Sequence, residues 1–449
     1  MPSPPLPSLD RALEILERAV RDSPADRTEI SWAGADHHHE ELGGKQARSE
    51  GRRDEGFTVR VVERGRAGSY RARDLEAGEI AAAIRQALAI ARLAPPSDLP
   101  AAAAAPEIPG APASLAEADL RDPDIESLTP VMAREIFRQG LEPGESARLD
   151  WIAGSVAFAA TGEPSRSARS TGACLEIRAG KGPATGSAIA AARTLARLAP
   201  GDLLDRARER RADSDDLADA PAGACPILLA PAAVARLAAT FARWTLASHA
   251  IEQGLSPLRD RWGERLFSPL FSLRDDALDP AGLPFPFDQR GRAKRPVELI
   301  EGGVARTPAL TDRLAASLRL PPTPLAISPD EAAAANLFVA AGDLGDGELL
   351  ARAEGGLFLA ALEPLEVYDR AGLRFRTVAH GVRRIEAGRG EAGLRAVPNL
   401  LWESDLFSVF TRLAGAGAER TALADGSLLF GGIVAPALLL EPAFVFRPA

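Results

Sequence analysis

Apolar residues along this chain recur first at helical spacing and then at strand-like alternation. In residues 8–22, Leu9, Ala12, Leu13, Ile15, Leu16 and Val20 fall near one helical face, and Ser8 with Asp10 supplies a start signal. The pattern then shortens to ISWAG (30–34), KQARSEG (45–51), GFTVRVVERG (56–65) and GSYRA (68–72). These glycine-punctuated, partly alternating runs predict an antiparallel meander. FTVRVVE and SYRA, joined through Arg64-Gly65-Arg66, predict a hairpin. A second helix is expected over 74–93, opened by Asp74 as N-cap and carrying Leu75, Ile80, Ile84, Leu88 and Leu93.

A Pro/Ala stretch at 94–112 breaks the pattern and marks a boundary. Beyond it the sequence predicts three strands, with turns at Gly162-Glu163-Pro164 and Gly180-Lys181-Gly182. A helical pattern at 201–213 then runs into the acidic Asp213-Ser214-Asp215-Asp216, and a second boundary falls near 218–224. The remainder opens with strand CPILLA and a helix over 231–253, followed by many short apolar strands and helices expected at 329–335 and around 403–414. The expected fold class is therefore α+β. Residues 1–94 form an amino-terminal α+β domain, 113–217 a middle α+β segment and 224–449 a large strand-rich domain.

Composition narrows the function classes. The 449 residues are 46% apolar and 26% charged, which suits a folded protein with a sizeable core. A formal net charge of −9 argues against a nucleic-acid partner, whose protein footprint is normally basic. No apolar run approaches the roughly 20 residues that span a bilayer, so no membrane partner is expected. The amino terminus lacks a basic region followed by an apolar core. With Cys174 and Cys225 as the only cysteines, these features point to a cytoplasmic chain.

Candidate chemistry is sparse. The run Asp36-His37-His38-His39-Glu40-Glu41 is the one metal-like cluster; it reads as a solvated loop, with His37, His38 and His39 as the alternative metal site. His249 and His380 read as surface or capping residues, and Ser404-Asp405 and Ser427 lack a G-x-S-x-G context. Asp275, Asp276, Asp279 and Asp288 could suit a hard cation, but without a defined ligand loop they read as turn-capping carboxylates. The basic stretch Gln289–Arg295 reads as an exposed hairpin balancing nearby acids. The Gly342–Gly347 stretch lacks the Lys-Ser/Thr of a phosphate loop.

Three stretches together resemble the TldD/PmbA family, described as modulators of DNA gyrase and as metallopeptidases. The first is EGFTVRVVERGRAGSYRARDLEAGEIAAAIRQALAIAR, with Arg60 in the strand and Gly68 after the turn. The second runs from SPLRDRWGERLF to RTPALTDRLAASL. In order it carries Ser256, Gly263-Glu264, the paired Asp275-Asp276, Asp288, Gly291, and Glu301 with Gly303 in Ile-Glu-x-Gly-Val. The third is the succession NLFVAAGD, GGLFLAAL and FRTVAHGVRRIEAG. The ordered succession, covering about residues 8 to 445, carries the resemblance rather than any single element.

The resemblance implies that TldD-type chains hold zinc through the two histidines of an H-E-x-x-x-H helix and a cysteine near the carboxyl end, with the glutamate as general base. Counted back from Ser256, those positions are Ala239, Thr240 and Trp244 here, and no cysteine follows Cys225. The departure resembles PmbA-type (TldE-type) members, the non-catalytic partners. The expected function is a non-catalytic subunit of a heteromeric zinc metallopeptidase acting on extended peptides, inactive alone, with no catalytic residue and no cofactor of its own. Zinc would reside in a TldD-type partner. The alternative is a homodimeric peptide- or protein-binding module without protease activity.

Overall fold

The computed structural model describes residues 6–43, 46–96, 120–138, 140–211, 217–386, 394–424 and 428–449. Most of the 94–112 stretch, the acidic run 213–216 and Ser427 therefore lie outside the described residues.

The first half of the chain builds one six-stranded antiparallel sheet. Its elements are α1 (Leu9–Arg21), β1 (Arg27–Gly43), β2 (Gln46–Glu63), β3 (Arg66–Ala72), α2 (Ala77–Leu93), α3 (Pro123–Glu126), α4 (Pro130–Arg138), β4 (Glu145–Ala160), β5 (Arg166–Ala179), β6 (Gly186–Ala192) and α5 (Pro200–Glu209). The strand order β3-β2-β1-β4-β5-β6 puts β1 beside β4. The segments on either side of 94–112 thus share one sheet, because β1 offers its second edge to β4 over Glu29–Gly43. The expected α1 forms with Ser8 as N-cap, and the predicted hairpin turns at Arg64 and Gly65, both at positive φ.

Helices cover one face of this sheet. Ile30, Trp32, Phe57, Val59 and Val61 pack under α1 and α2; Leu149, Trp151, Leu175 and Ile177 pack under α3, α4 and α5. Alternation sends Ala35, Ile152, Val156 and Phe158 to the opposite face, where they meet Phe285, Phe287 and Leu429 of the carboxyl-terminal half. At Gly68 a Cβ would lie 2.2 Å from the Ala87 carbonyl oxygen, so glycine lets α2 seat directly on β3.

The second half contains β7 (Cys225–Leu229), α6 (Pro231–Thr245), α7 (Ser248–Glu252), β8 (Leu273–Asp275), β9 (Val297–Glu301), β10 (Val304–Ala305), α8 (Asp312–Leu318), β11 (Ala326–Ser328), β12 (Glu331–Ala332) and β13 (Asn336–Val339). It continues with α9 (Asp346–Arg352), β14 (Leu357–Leu359), β15 (Ala361–Asp369), β16 (Arg374–His380), β17 (Arg383–Ile385), β18 (Leu394–Ala396), β19 (Leu400–Asp405), α10 (Leu406–Thr411), β20 (Leu413–Leu423), β21 (Gly432–Phe444) and β22 (Phe446–Pro448). A ten-stranded mixed sheet runs β10-β9-β8-β13-β21-β7-β14-β17-β18, with β20 on β21; β15-β16-β19-β22 form a smaller sheet. The core between them is aromatic: Phe241 of α6 meets Phe267, Phe271 and Phe410 edge-on. Together the two halves make an α+β protein.

Several expectations are corrected. The histidine run is no loop but the middle of β1, paired with β2 and β4 on both sides, which satisfies its backbone and leaves the polar side chains on the two sheet faces. The second helix starts at Ala77, with Glu76 rather than Asp74 as N-cap. The helix over 231–253 breaks into α6 and α7 where Ala247 is extended. Residues 329–335 are not helical: Ala335 and Asn336 donate their N–H groups to Asp275, and Glu331–Ala332 pairs with β11. Around 403–414 only α10 is helical, between two strands.

Candidate functional site

The first candidate is the helix that corresponds to the metal-binding helix of the resemblance. Burial of Ala233, Val234, Leu237, Ala238, Phe241, Ala242 and Thr245 fixes the rotation of α6. That leaves Arg236, Ala239, Thr240, Arg243 and Trp244 on the face toward solvent. The Thr240 hydroxyl donates to the Arg236 carbonyl at 2.7 Å. The Trp244 ring lies under the Arg370 guanidinium at 4.5 Å, with Arg243 at 5.8 Å. Arg236 pairs with Glu363 at 2.9 Å.

Zinc does not fit this face. A methyl group, a hydroxyl engaged with its own helix and an indole under an arginine offer no imidazole, thiolate or carboxylate. His249, the nearest imidazole in sequence, meets the Trp244 ring edge-on and has Nδ1 3.1 Å from Glu331 Oε1. Cys174 lies buried on β5, its thiol pushed up by burial to about 12, and Cys225 lies buried on β7, its thiol also raised by burial. Both are held as neutral thiols, unlike a metal-binding thiolate.

The histidines of β1 are dispersed. His38 faces the helices and stacks on Trp151 at 4.9 Å, while His37 and His39 face the other way. His39 donates through Nδ1 to Asp150 at 2.7 Å, and His37 Nε2 lies 3.4 Å from Asp54. Burial lowers the pKa of His37 and of His38. Among the described residues, no group of three or more His, Cys, Asp or Glu side chains is placed to hold a metal.

The residues that carried the resemblance form two clusters. In one, Ser256 closes the α6–α7 turn: its hydroxyl donates to the Thr245 carbonyl at 2.6 Å and accepts from the Leu258 N–H. Gly263, at φ +87°, donates its N–H to the Ala305 carbonyl, and Glu264 returns a carbonyl to the Ala305 N–H. Gly303, at φ +78°, has no room for a Cβ, which would stand 2.3 Å from the Phe267 carbonyl oxygen. Asp275 accepts from the N–H groups of Ala335 and Asn336, and Asp276 from that of Leu278. Lys294 Nζ lies 3.8 Å from Asp275, whereas Glu301 pairs at the surface with Arg306.

The second cluster is the seam between the two halves. Asp288 is fully buried and accepts from the N–H groups of Arg290, Arg292 and Ala326; burial raises its pKa despite Arg292 and Lys294. These bonds shape a turn through Gly291, at φ +71°, where a Cβ would strike the Phe158 ring at 2.2 Å. The turn aims Arg290 at Glu29 of β1, with bonds of 2.8 and 3.1 Å, and at Asp312 of α8, which Arg292 also holds. Arg27 and Arg60 complete the ring around Glu29 at 2.9 and 3.6 Å. Arg60 also approaches Asp330 at 3.8 Å. The basic stretch is therefore not an exposed hairpin, because Arg290 and Lys294 are buried by the seam.

Sequence reasoning passed over Glu29, Arg193, Asp312 and Arg370. Arg193 is buried and donates to the carbonyls of Thr171, Leu283, Pro284, Leu428 and Leu429, joining the sheet to two loops of the second half. Nothing in AARTLARL sets Arg193 apart from Arg197 or signals such a seat. No described helix is long and apolar enough to cross a membrane.

A model of the PmbA/TldA metallopeptidase C-terminal domain matches residues 222–445. No curated protein matches the chain. Among solved structures, the fold is similar to a candidate modulator of a DNA gyrase from Thermotoga maritima at TM-score 0.77 and 16% identity, covering 98% of this chain and 100% of that one. A candidate modulator of DNA gyrase from Bacteroides thetaiotaomicron gives 0.74 and 17%, covering 98% and 99%. TldE from Thermococcus kodakarensis gives 0.75 and 16%, covering 98% and 100%. With the ordered motif residues placed on this fold, the chain belongs to the TldD/PmbA family.

Proposed function

We propose that this chain is a non-catalytic, TldE-like subunit of a TldD/PmbA-type metallopeptidase, in which a TldD-type partner supplies the zinc, its ligands and the general base. The observation that carries this reading is the solvent-facing side of α6. Ala239, Thr240 and Trp244 stand where two histidines and a glutamate would be needed, and Arg370 lies over the indole. The likeness to a TldE fold supports it. The chain's own part is to complete a cleft and offer strand edges to extended peptides. That role needs no titratable catalyst here.

The test is the metal content of the untagged chain after dialysis against a weak chelator, together with peptidase activity with and without a TldD-type chain. The expected result is negligible zinc, no hydrolysis alone, and co-purification with the catalytic chain. About one zinc per chain, or hydrolysis by the chain alone, sinks the proposal.

A further inference from the structure

Among the described residues, strand β2 has an unpaired edge whose charges invert in sign when read in the opposite direction. Its inner edge pairs with β1 from Gln46 to Val62, whereas β3 covers its outer edge only from Phe57 to Glu63. Among the described residues no strand pairs with the outer edge of 47–56. Arg48, Glu50, Arg52 and Asp54 alternate in sign along one face, with side chains 68%, 57%, 70% and 53% exposed. Arg48 pairs with Glu50 and Arg52 with Asp54 along the same strand, and Asp54 also lies 3.4 Å from His37 of β1; all four side chains stay exposed enough to exchange partners.

We infer that this edge pairs with the same edge of a second copy of the chain, antiparallel and centred on Gly51. In that register Arg48 faces Asp54 of the second copy and Glu50 faces its Arg52, and symmetry repeats both pairs. Every charge of the stripe meets its opposite. Moving the centre to Glu50 or to Arg52 sets like against like, at 48 with 52 or at 50 with 54, and cross-strand like charges oppose pairing. On the other face Arg53 and Glu55 are already engaged, by Asp36 and by the Trp32 indole N–H, and they face Ser49 and Ala47. Charged edges commonly guard against strand addition. This one balances three cations with three anions between 48 and 55, arranged as a two-fold axis requires. The inference rests on β2 alone and does not depend on what α6 does.

The experiment is sedimentation of the full chain, 47.2 kDa, with charge variants and a cysteine variant. The native chain should sediment as a dimer that dissociates as salt rises. Glu50→Arg or Arg52→Glu alone should weaken association at least tenfold. Combining both changes in one chain, or mixing the two single variants, should restore it, which no misfolded chain would do. In the proposed register the two copies of position 51 face each other at a Cα separation of about 4.5–5.5 Å, within disulfide range. A Cβ there meets only His38, at 3.6 Å. Oxidised Gly51→Cys should therefore give a covalent dimer, and Ser49→Cys should not. A monomeric native chain overturns the inference and leaves the stripe as a guard or as the seat of another partner. A dimer indifferent to the charge variants, or one that Gly51→Cys cannot trap, also overturns it.

Discussion

Glu29 shows how much a single residue can decide in this protein. Burial pushes its carboxyl up, but Arg290, Arg60 and Arg27 outweigh that cost and hold it at about 2. A carboxyl held below its ordinary 4.5 contributes stability that is fully present above that value and is lost as pH falls toward 2. Glu29→Gln keeps the shape and removes the charge. It should destabilise the chain by about 3 kcal/mol at neutral pH, the scale of breaking a buried ion pair. The gap to the native chain should close in acid, and denaturant titrations at pH 7 and pH 3 would check both. An unchanged gap would refute the account. Nothing in RTEISWAG announces this role, because Arg290, which makes two bonds to Glu29, lies 261 residues away.

At the scale of elements, the join of α6 and α7 is the informative place. Thr245 ends α6, and its carbonyl is satisfied by Ser256, eleven residues on, rather than by the helix. Ser256→Ala should leave that buried carbonyl short of a donor and cost about 1–2 kcal/mol. Thermal unfolding would measure it, and a loss near zero would show that the turn is held by its backbone bonds alone. Periodicity sees 231–253 as one helix, since the apolar spacing continues across Leu246 and Ala247. The break is held from outside the helix, by the Ser256 hydroxyl on the Thr245 carbonyl and the Ala309 N–H on the Leu246 carbonyl. The expected helix at 329–335 misled for a related reason: alanine favours helix locally, but buried Asp275 takes the N–H groups of Ala335 and Asn336.

Over the whole molecule, Arg193 is the second tie across the seam. Its guanidinium donates to five carbonyls and, among the described residues, pairs with no carboxylate; burial pulls its pKa down. Lysine offers three donors on a point charge in place of a planar five-donor fork, so Arg193→Lys should leave at least two carbonyls unmet. The expected result is a loss of about 3 kcal/mol or more and a split of the unfolding transition into two. Calorimetry would report it, and a single transition at the native temperature would count against the tie.

The sequence by itself determined the α+β class, the helix at 9–21, the hairpin at 64–66 and the three middle strands, because periodicity and turn residues act over a few positions. It also carried the family, through the order of motif residues. Tertiary structure decided what distance along the chain conceals. It placed the histidine run in a two-sided strand, merged the segments around 94–112 into one sheet, and buried Arg290 of the basic turn against Glu29. Each of those outcomes depends on a partner far away in sequence, and local pattern carries no information about which distant residue will supply the hydrogen bond or the opposite charge.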